Sequence, residues 1–317
     1  MFLNWISSAW LKPIDLFSRF EPTGRLGRFF NFPLMRVLVV VVFLAPVVLV
    51  NSIVVMQVIE NLGEPGATII DMVRMILTFF LLIVSYRFYC SVFERRSALE
   101  VGFTGSGREI GFGALAGVGI VSFVVMVLWL AGSYSIEAFG SGWIIPKTLI
   151  QFGVGAFLQE LVLVCVVYRL IEEFTGSWIA IVISLLIFSV AHGANPNASA
   201  ISVAALFFSS IILLAPFILT RRIWLSWGFH AGWNFMQAGF FGMPNSGIQF
   251  PGWIESVIEG PSWLTGGAIG IEGSIVAIGS DIVLGLGLLM LAIRRDQLVA
   301  PSWKRQSGGR ATGGDQP

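Results

Sequence analysis

Stretches of about twenty apolar residues recur along this chain, and no other feature limits its fold so tightly. A helix of that length crosses a hydrocarbon layer of about 30 Å. Eight such segments can be drawn, at roughly 35–58, 69–90, 109–133, 147–170, 177–193, 199–220, 223–243 and 273–293. With 56% hydrophobic and only 12% charged residues, the chain has too little polar surface for a water-soluble exterior. In lipid every backbone amide of a spanning segment needs an internal partner, which a helix supplies. The expected fold is therefore all-α: a polytopic integral membrane protein of about eight transmembrane helices, with any polar site inside the bundle. Gly, Ala and Ser interrupt most of the segments and allow close helix approach.

The chain divides into three regions. Residues 1–34 mix polar and aromatic side chains and read as an amphipathic interfacial lead-in rather than a cleavable signal. Residues 35–294 form the transmembrane domain. Residues 295–317 are polar and Gly-rich and read as a disordered tail. Arginines and lysines gather at the N-terminal end, around 87–108, at Arg169, at Arg221 and Arg222, and after residue 293. The alternate loops hold Glu60, Glu64, Glu137, Glu255 and Glu259 with little basic beyond Lys147. That asymmetry predicts a multi-pass cell-membrane protein with both termini in the cytoplasm. The basic residues are scattered, so nucleic acid is not an expected partner. Cys90 and Cys165 both fall in or beside helices, which argues against a disulfide and excludes a CxxC metal site.

Ionisable and strongly polar residues at membrane depth carry the functional information, because each is costly to insert. Four places qualify. Gln159 and Glu160 lie midway along the fourth segment, His192 closes the fifth, His230 and Asn234 lie in the seventh, and Asp281 stands alone in the eighth. Asp281 reads as structural, bonded to Ser280 or a facing helix; Asp71 and Arg74 read as a local pair. The chain's only two histidines are both in this set. His230 and Asn234, four residues apart, share a helix face and can donate two hydrogen bonds to one oxygen, as an oxyanion requires. Glu160 with His192 can hold and deprotonate a water.

The order and spacing of these residues resemble the CPBP family, the CAAX prenyl proteases of the Ras-converting type and the bacteriocin-processing Abi proteins. Phe188 to His192 matches the family's Phe-x-x-x-His. His230 to Asn234, within "RRIWLSWGFHAGWNFMQAGFFG", matches its His-x-x-x-Asn, and 93–120 resembles the approach to its third helix. The first motif departs from Glu-Glu-x-x-x-Arg: Gln159 stands for the first Glu, Val164 for the Arg and Cys165 for the following Gly. Arg169 cannot replace that Arg, lying about two and a half turns beyond Glu160.

The resemblance implies an intramembrane endopeptidase acting on a membrane-associated or prenylated-type peptide. Glu160 and His192 would activate water, His230 and Asn234 would form the oxyanion hole, and Gln159 and Phe188 would support them. The expected partners are the lipid bilayer and a peptide or membrane-protein substrate. The altered first motif raises an alternative, a catalytically silent relative that binds a partner protein, peptide or lipid as a scaffold. A small proton-coupled transporter is a third reading, without the inverted repeat such proteins show. Two histidines and a carboxylate are zinc-ligand types, so a divalent metal is a candidate cofactor, although no HExxH gathers them. GxGD and GxSxG contexts are likewise absent.

Overall fold

A computed structural model describes residues 11–57 and 66–308. It is built almost entirely of helices. After a short helix α1 (Gly24–Phe30) come α2 (Pro33–Gln57), α3 (Gly66–Val92) and α4 (Ser106–Leu130). A long continuous rod comes next: α5 (Ile144–Glu160), a π-helical stretch Leu161–Tyr168, and α6 (Arg169–Thr175). Then come α7 (Ser177–His192), α8 (Ala200–Ser209) with α9 (Ile211–Thr220), α10 (Ile223–Asn234) with a second π-helical stretch Phe235–Phe240, and α11 (Ile275–Arg294).

Six of the described helical rods are long and apolar enough to cross a membrane, so the chain is an all-α polytopic membrane protein. The other two segments drawn from the sequence are helical but shorter: α7 has 16 residues and α10 has 12 before its π-helical extension. Outward-facing Leu, Val, Ile and Phe side chains along α2, α3, α4 and α11 are widely exposed, as lipid-facing surfaces are. One non-helical feature lies in the loops. Strands β1 (Tyr134–Phe139) and β2 (Ile254–Ile258) pair antiparallel, with a bulge between Ile136 and Ala138.

Two devices set the helix register. The first is a reciprocal glycine seam between α4 and α10. A Cβ on Gly113 would stand 2.3 Å from the Leu225 carbonyl oxygen, and one on Gly117 2.4 Å from that of Phe229. In return, Gly228 and Gly232 lie against the carbonyls of Ile110 and Ala114, at 2.5 and 2.7 Å. Both helices carry Gly-x-x-x-Gly, so the backbones close on each other along one stripe.

The second device is a buried ionic network at the end of the bundle that carries the basic residues. Glu94 is shared by Arg36 at 2.5 Å, Arg96 at 2.7 Å and Arg169 at 2.8 Å, and Arg96 also reaches Glu100 at 2.7 Å. Glu172 accepts hydrogen bonds from Tyr168 and Ser177, both at 2.5 Å, and pairs with Arg221. Burial pushes the Glu94 and Glu100 carboxyls up. The surrounding guanidiniums, Arg169, Arg96 and Arg36 on Glu94 and chiefly Arg96 on Glu100, win and hold both below the ordinary value.

The expectation of a disordered tail from residue 295 is corrected as far as Gly308. Ser177 N–H donates to Val299 O at 3.0 Å, and Val299 N–H donates to Ser177 Oγ at 2.7 Å. Those bonds pin the segment against the start of α7, and Ser302–Gly308 is helical. Arg305 adds a cation–π contact with Phe17, 4.9 Å from the ring centre. Residues 309–317, and residues 1–10 of the lead-in, lie outside the described residues.

Candidate active site

The site lies between α5, α7 and α10, away from the ionic network. Two of its residues sit where a helix changes pitch. Leu161–Tyr168 is π-helical and begins directly after Glu160, and Phe235–Phe240 begins directly after Asn234. A π-turn adds a residue per turn and re-aims the side chains beyond it. Val164 and Cys165, standing where the CPBP motif has Arg and Gly, are completely buried in the first of these turns. Arg169 is engaged elsewhere: it holds Glu94, Cys165 O at 2.8 Å and Leu16 O at 3.1 Å.

His230 Nδ1 lies 2.8 Å from Glu160 Oε1. Glu160 is wholly buried and its Oε2 has no hydrogen-bond partner. The sequence paired Glu160 with His192 across a water; in the fold the carboxylate instead holds the other histidine. His192 Nδ1 donates to Phe188 O at 2.8 Å, one turn back on α7. Since a neutral imidazole carries one proton, that bond leaves Nε2 of His192 as an acceptor. The Phe188 ring lies against the His192 ring, 4.3 Å between centres, and restricts its rotation.

Asn234 is fixed from a loop. Asn245 Nδ2 donates to Asn234 Oδ1 at 3.0 Å, which occupies the amide oxygen and leaves the Asn234 –NH₂ for other acceptors. Gln159, His192, Asn195, His230, Asn234 and Asn245 line one cavity of about 420 Å³, closed on one side by Phe152 and Phe250. The structure thus brings together His192, His230, Asn234 and Gln159 around open space, while Glu160 reaches that space only through His230. Phe188 borders an adjoining recess together with His192, His230 and Asn234.

Sequence reasoning missed one residue of this wall, Asn245, and singled out a residue of the adjoining recess, Asp281, only as structural. Asn245 gave no signal beyond its position in a Gly- and Pro-rich loop. The expected structural bonding of Asp281 is corrected: Ser280 Oγ donates to Val276 O at 2.8 Å, while Asp281 Oδ1 is buried without a partner and its residue faces the recess. The loop 243–274 is therefore part of the cavity wall. Its Glu272 accepts from Gln237 Nε2 and Ser246 N–H, both at 2.7 Å, and clips the loop to the second π-helical stretch.

The residues do not fit a metal centre. No three His, Cys, Asp or Glu side chains converge among the described residues.

A bundle of long apolar helices enclosing a cavity walled by two histidines and five carboxamides defines a polytopic membrane protein with an intramembrane polar site. Residues 141–236 match the family described as type II CAAX prenyl endopeptidase Rce1-like. The matched stretch contains Gln159, Glu160, Phe188, His192, His230 and Asn234. No curated protein and no solved structure gives a significant match.

Proposed function

We propose that this chain is an intramembrane peptidase that hydrolyses a peptide bond of a membrane-associated substrate in the cavity between α5, α7 and α10. The observation that carries the reading is the 2.8 Å contact of His230 with Glu160, seated in the stretch that matches the Rce1-like family, with His230 facing the cavity of about 420 Å³. His192, with Nε2 as acceptor, takes a proton from the attacking water. His230 in its imidazolium form donates from Nδ1 to Glu160 and from Nε2 to the developing oxyanion, and the Asn234 amide donates beside it. The proton held by His192 then goes to the leaving amine. Gln159 can hydrogen-bond a water or a peptide carbonyl, but an amide takes no proton.

The ionic network and the basic loops occupy one end of the bundle, which we place in the cytoplasm with both termini. His192, Asn195 and Asn245 then open the cavity toward the opposite side.

A second reading is favoured by Gln159 standing in the cavity while Glu160 is sealed from it: the chain keeps the fold and binds a peptide without cutting it. Comparing membrane-protein termini by mass spectrometry separates the two. The strains are a deletion mutant and the same strain carrying wild type, His192→Ala or His230→Ala. New termini that return with wild type and with neither variant support the peptidase. A phenotype rescued by all three chains, with no terminus depending on any, supports the scaffold.

A further inference from the structure

The end of the bundle that holds the ionic network also carries a wide hollow, separate from the cavity at His192 and His230. Arg19, Arg87, Arg95 and Arg96 line it with Ser91 and Ser97, around a volume of about 730 Å³. No Asp or Glu among the described residues lines it. The four guanidiniums are not equivalent. Arg96 is spent inside the protein, on Glu94 and Glu100. Arg19, Arg87 and Arg95 form no ion pair among the described residues.

These three are held in place without being neutralised. Arg87 lies over the Phe103 ring at 5.4 Å and donates to Val101 O at 3.1 Å, and Arg95 lies over the Phe20 ring at 5.1 Å. A ring covers the face of a guanidinium and leaves its N–H edge available. Arg95 stands in a left-handed backbone, φ 53°, a conformation costly for a residue with a Cβ. Arg19 N–H donates to Glu94 O at 2.9 Å, which fixes the lead-in beside the same loop.

Apolar surface adjoins the hollow. Val84, Arg87, Phe88 and Ser91 lie three or four residues apart in turn along α3 and share one of its faces. Val84 and Phe88 are exposed there, as is Phe103 beyond the loop. Unpaired guanidinium forks suit the oxygens of a phosphate, and an apolar helix face beside them suits an acyl chain. A basic pocket at the membrane surface draws anionic lipid from the bilayer. A soluble anion would use the arginines and leave Val84 and Phe88 uncovered.

We propose that this hollow binds an anionic phospholipid of the surrounding bilayer, its phosphate held by Arg19, Arg87 and Arg95 and an acyl chain lying along Val84 and Phe88. The proposal is independent of the peptidase reading. A lipid bound there joins α3, the lead-in and the loop 93–102, so it stabilises the fold.

The test titrates the full-length protein in neutral detergent with four compounds: dioctanoyl phosphatidylglycerol, dioctanoyl phosphatidylcholine, glycerol phosphate and inorganic phosphate. Thermal stabilisation is the readout. In wild type, phosphatidylglycerol should half-saturate at a concentration at least about tenfold below phosphatidylcholine, with little effect of the two chainless anions. Arg87→Gln with Arg95→Gln should bring the two lipids toward parity. Arg25→Gln with Arg294→Gln removes the same charge elsewhere and should keep the wild-type preference.

Equal stabilisation of wild type by both lipids overturns the proposal. So does stabilisation by phosphate or glycerol phosphate matching that by phosphatidylglycerol, which makes the hollow a small-anion site. A preference that survives the Arg87 and Arg95 pair, or that falls equally in the Arg25 and Arg294 pair, removes the hollow as its source. The single variant Arg95→Gln, which gives up only a ring contact, should lose part of the preference and serves if the pair fails to fold.

Discussion

His230 Nδ1 and Glu160 Oε1, from helices 70 residues apart in sequence, meet at 2.8 Å at a point where Glu160 is wholly buried. In the peptidase proposed above, a carboxylate placed there would orient the imidazole and stabilise the charge it carries during turnover, as an orienting acid does for a histidine in hydrolases. Glu160→Gln keeps a hydrogen-bonding side chain and removes the charge. Cleavage should fall by about 10²-fold or more, with the melting temperature within a few degrees of wild type. A variant that cleaves at the wild-type rate would break the link between this pair and catalysis.

Asn245 acts through Asn234. In Asn245→Ala, the Asn234 amide loses the bond at its oxygen and can rotate its –NH₂ away from the cavity. We expect kcat to drop by about tenfold with KM little changed, because the donor serves the transition state more than the bound peptide. Asn234→Ala should cost more, about 10²–10³ in kcat. Steady-state kinetics on the two single variants and the double variant checks this. The double variant should be no worse than Asn234→Ala alone.

The glycine seam between α4 and α10 should be intolerant of any side chain. Gly117→Val places a Cβ 2.4 Å from Phe229 O on the same helix as His230, so α10 must move bodily. Overpacking of this kind costs about 1–3 kcal/mol. The variant should melt earlier and lose activity, while Gly119→Val, with nothing within 4 Å of its Cβ, should behave as wild type. Thermal melts in detergent, run side by side, decide it.

Acid should release the ionic network. Glu94 and Glu100 have carboxyls held below their ordinary value of 4.5. For a carboxyl depressed in the folded state, the stabilisation is present above the unfolded value and disappears as pH falls through the folded one. Melting temperature should therefore lose no contribution from these two groups above about pH 4.5 and should decline below it. Glu94→Gln leaves Arg36, Arg96 and Arg169 without their shared anion, and a loss of about 3–5 kcal/mol is expected already at neutral pH.

Much of the architecture was legible from the residues. Runs of apolar residues demand helices in lipid, so the eight segments all fall on helices, and the bundle class came from length and composition alone. The polar exceptions Gln159, Glu160, His192, His230 and Asn234 were legible for the same reason: each is too costly at depth to be there without a partner or a task. Phe188 was legible only through its motif spacing.

The partnerships among those residues were not legible, because they depend on how each helix is rotated about its axis. The glycine seam at Gly113, Gly117, Gly228 and Gly232 and the π-turns after Glu160 and Asn234 decide that rotation, and helix periodicity read along a single segment is blind to both. Asn245 fixing Asn234 joins a loop to a helix, and loop conformation leaves no periodic trace. Asp281 looked like an isolated structural acid because most of its environment comes from α7, α8, α9 and α10, which are distant from it in sequence. The sequence by itself determined that polar groups are buried in a membrane bundle, through the cost of inserting them. Only the tertiary structure decided that Glu160 serves His230 and that Asp281 faces the site, because close packing sets which side chains meet.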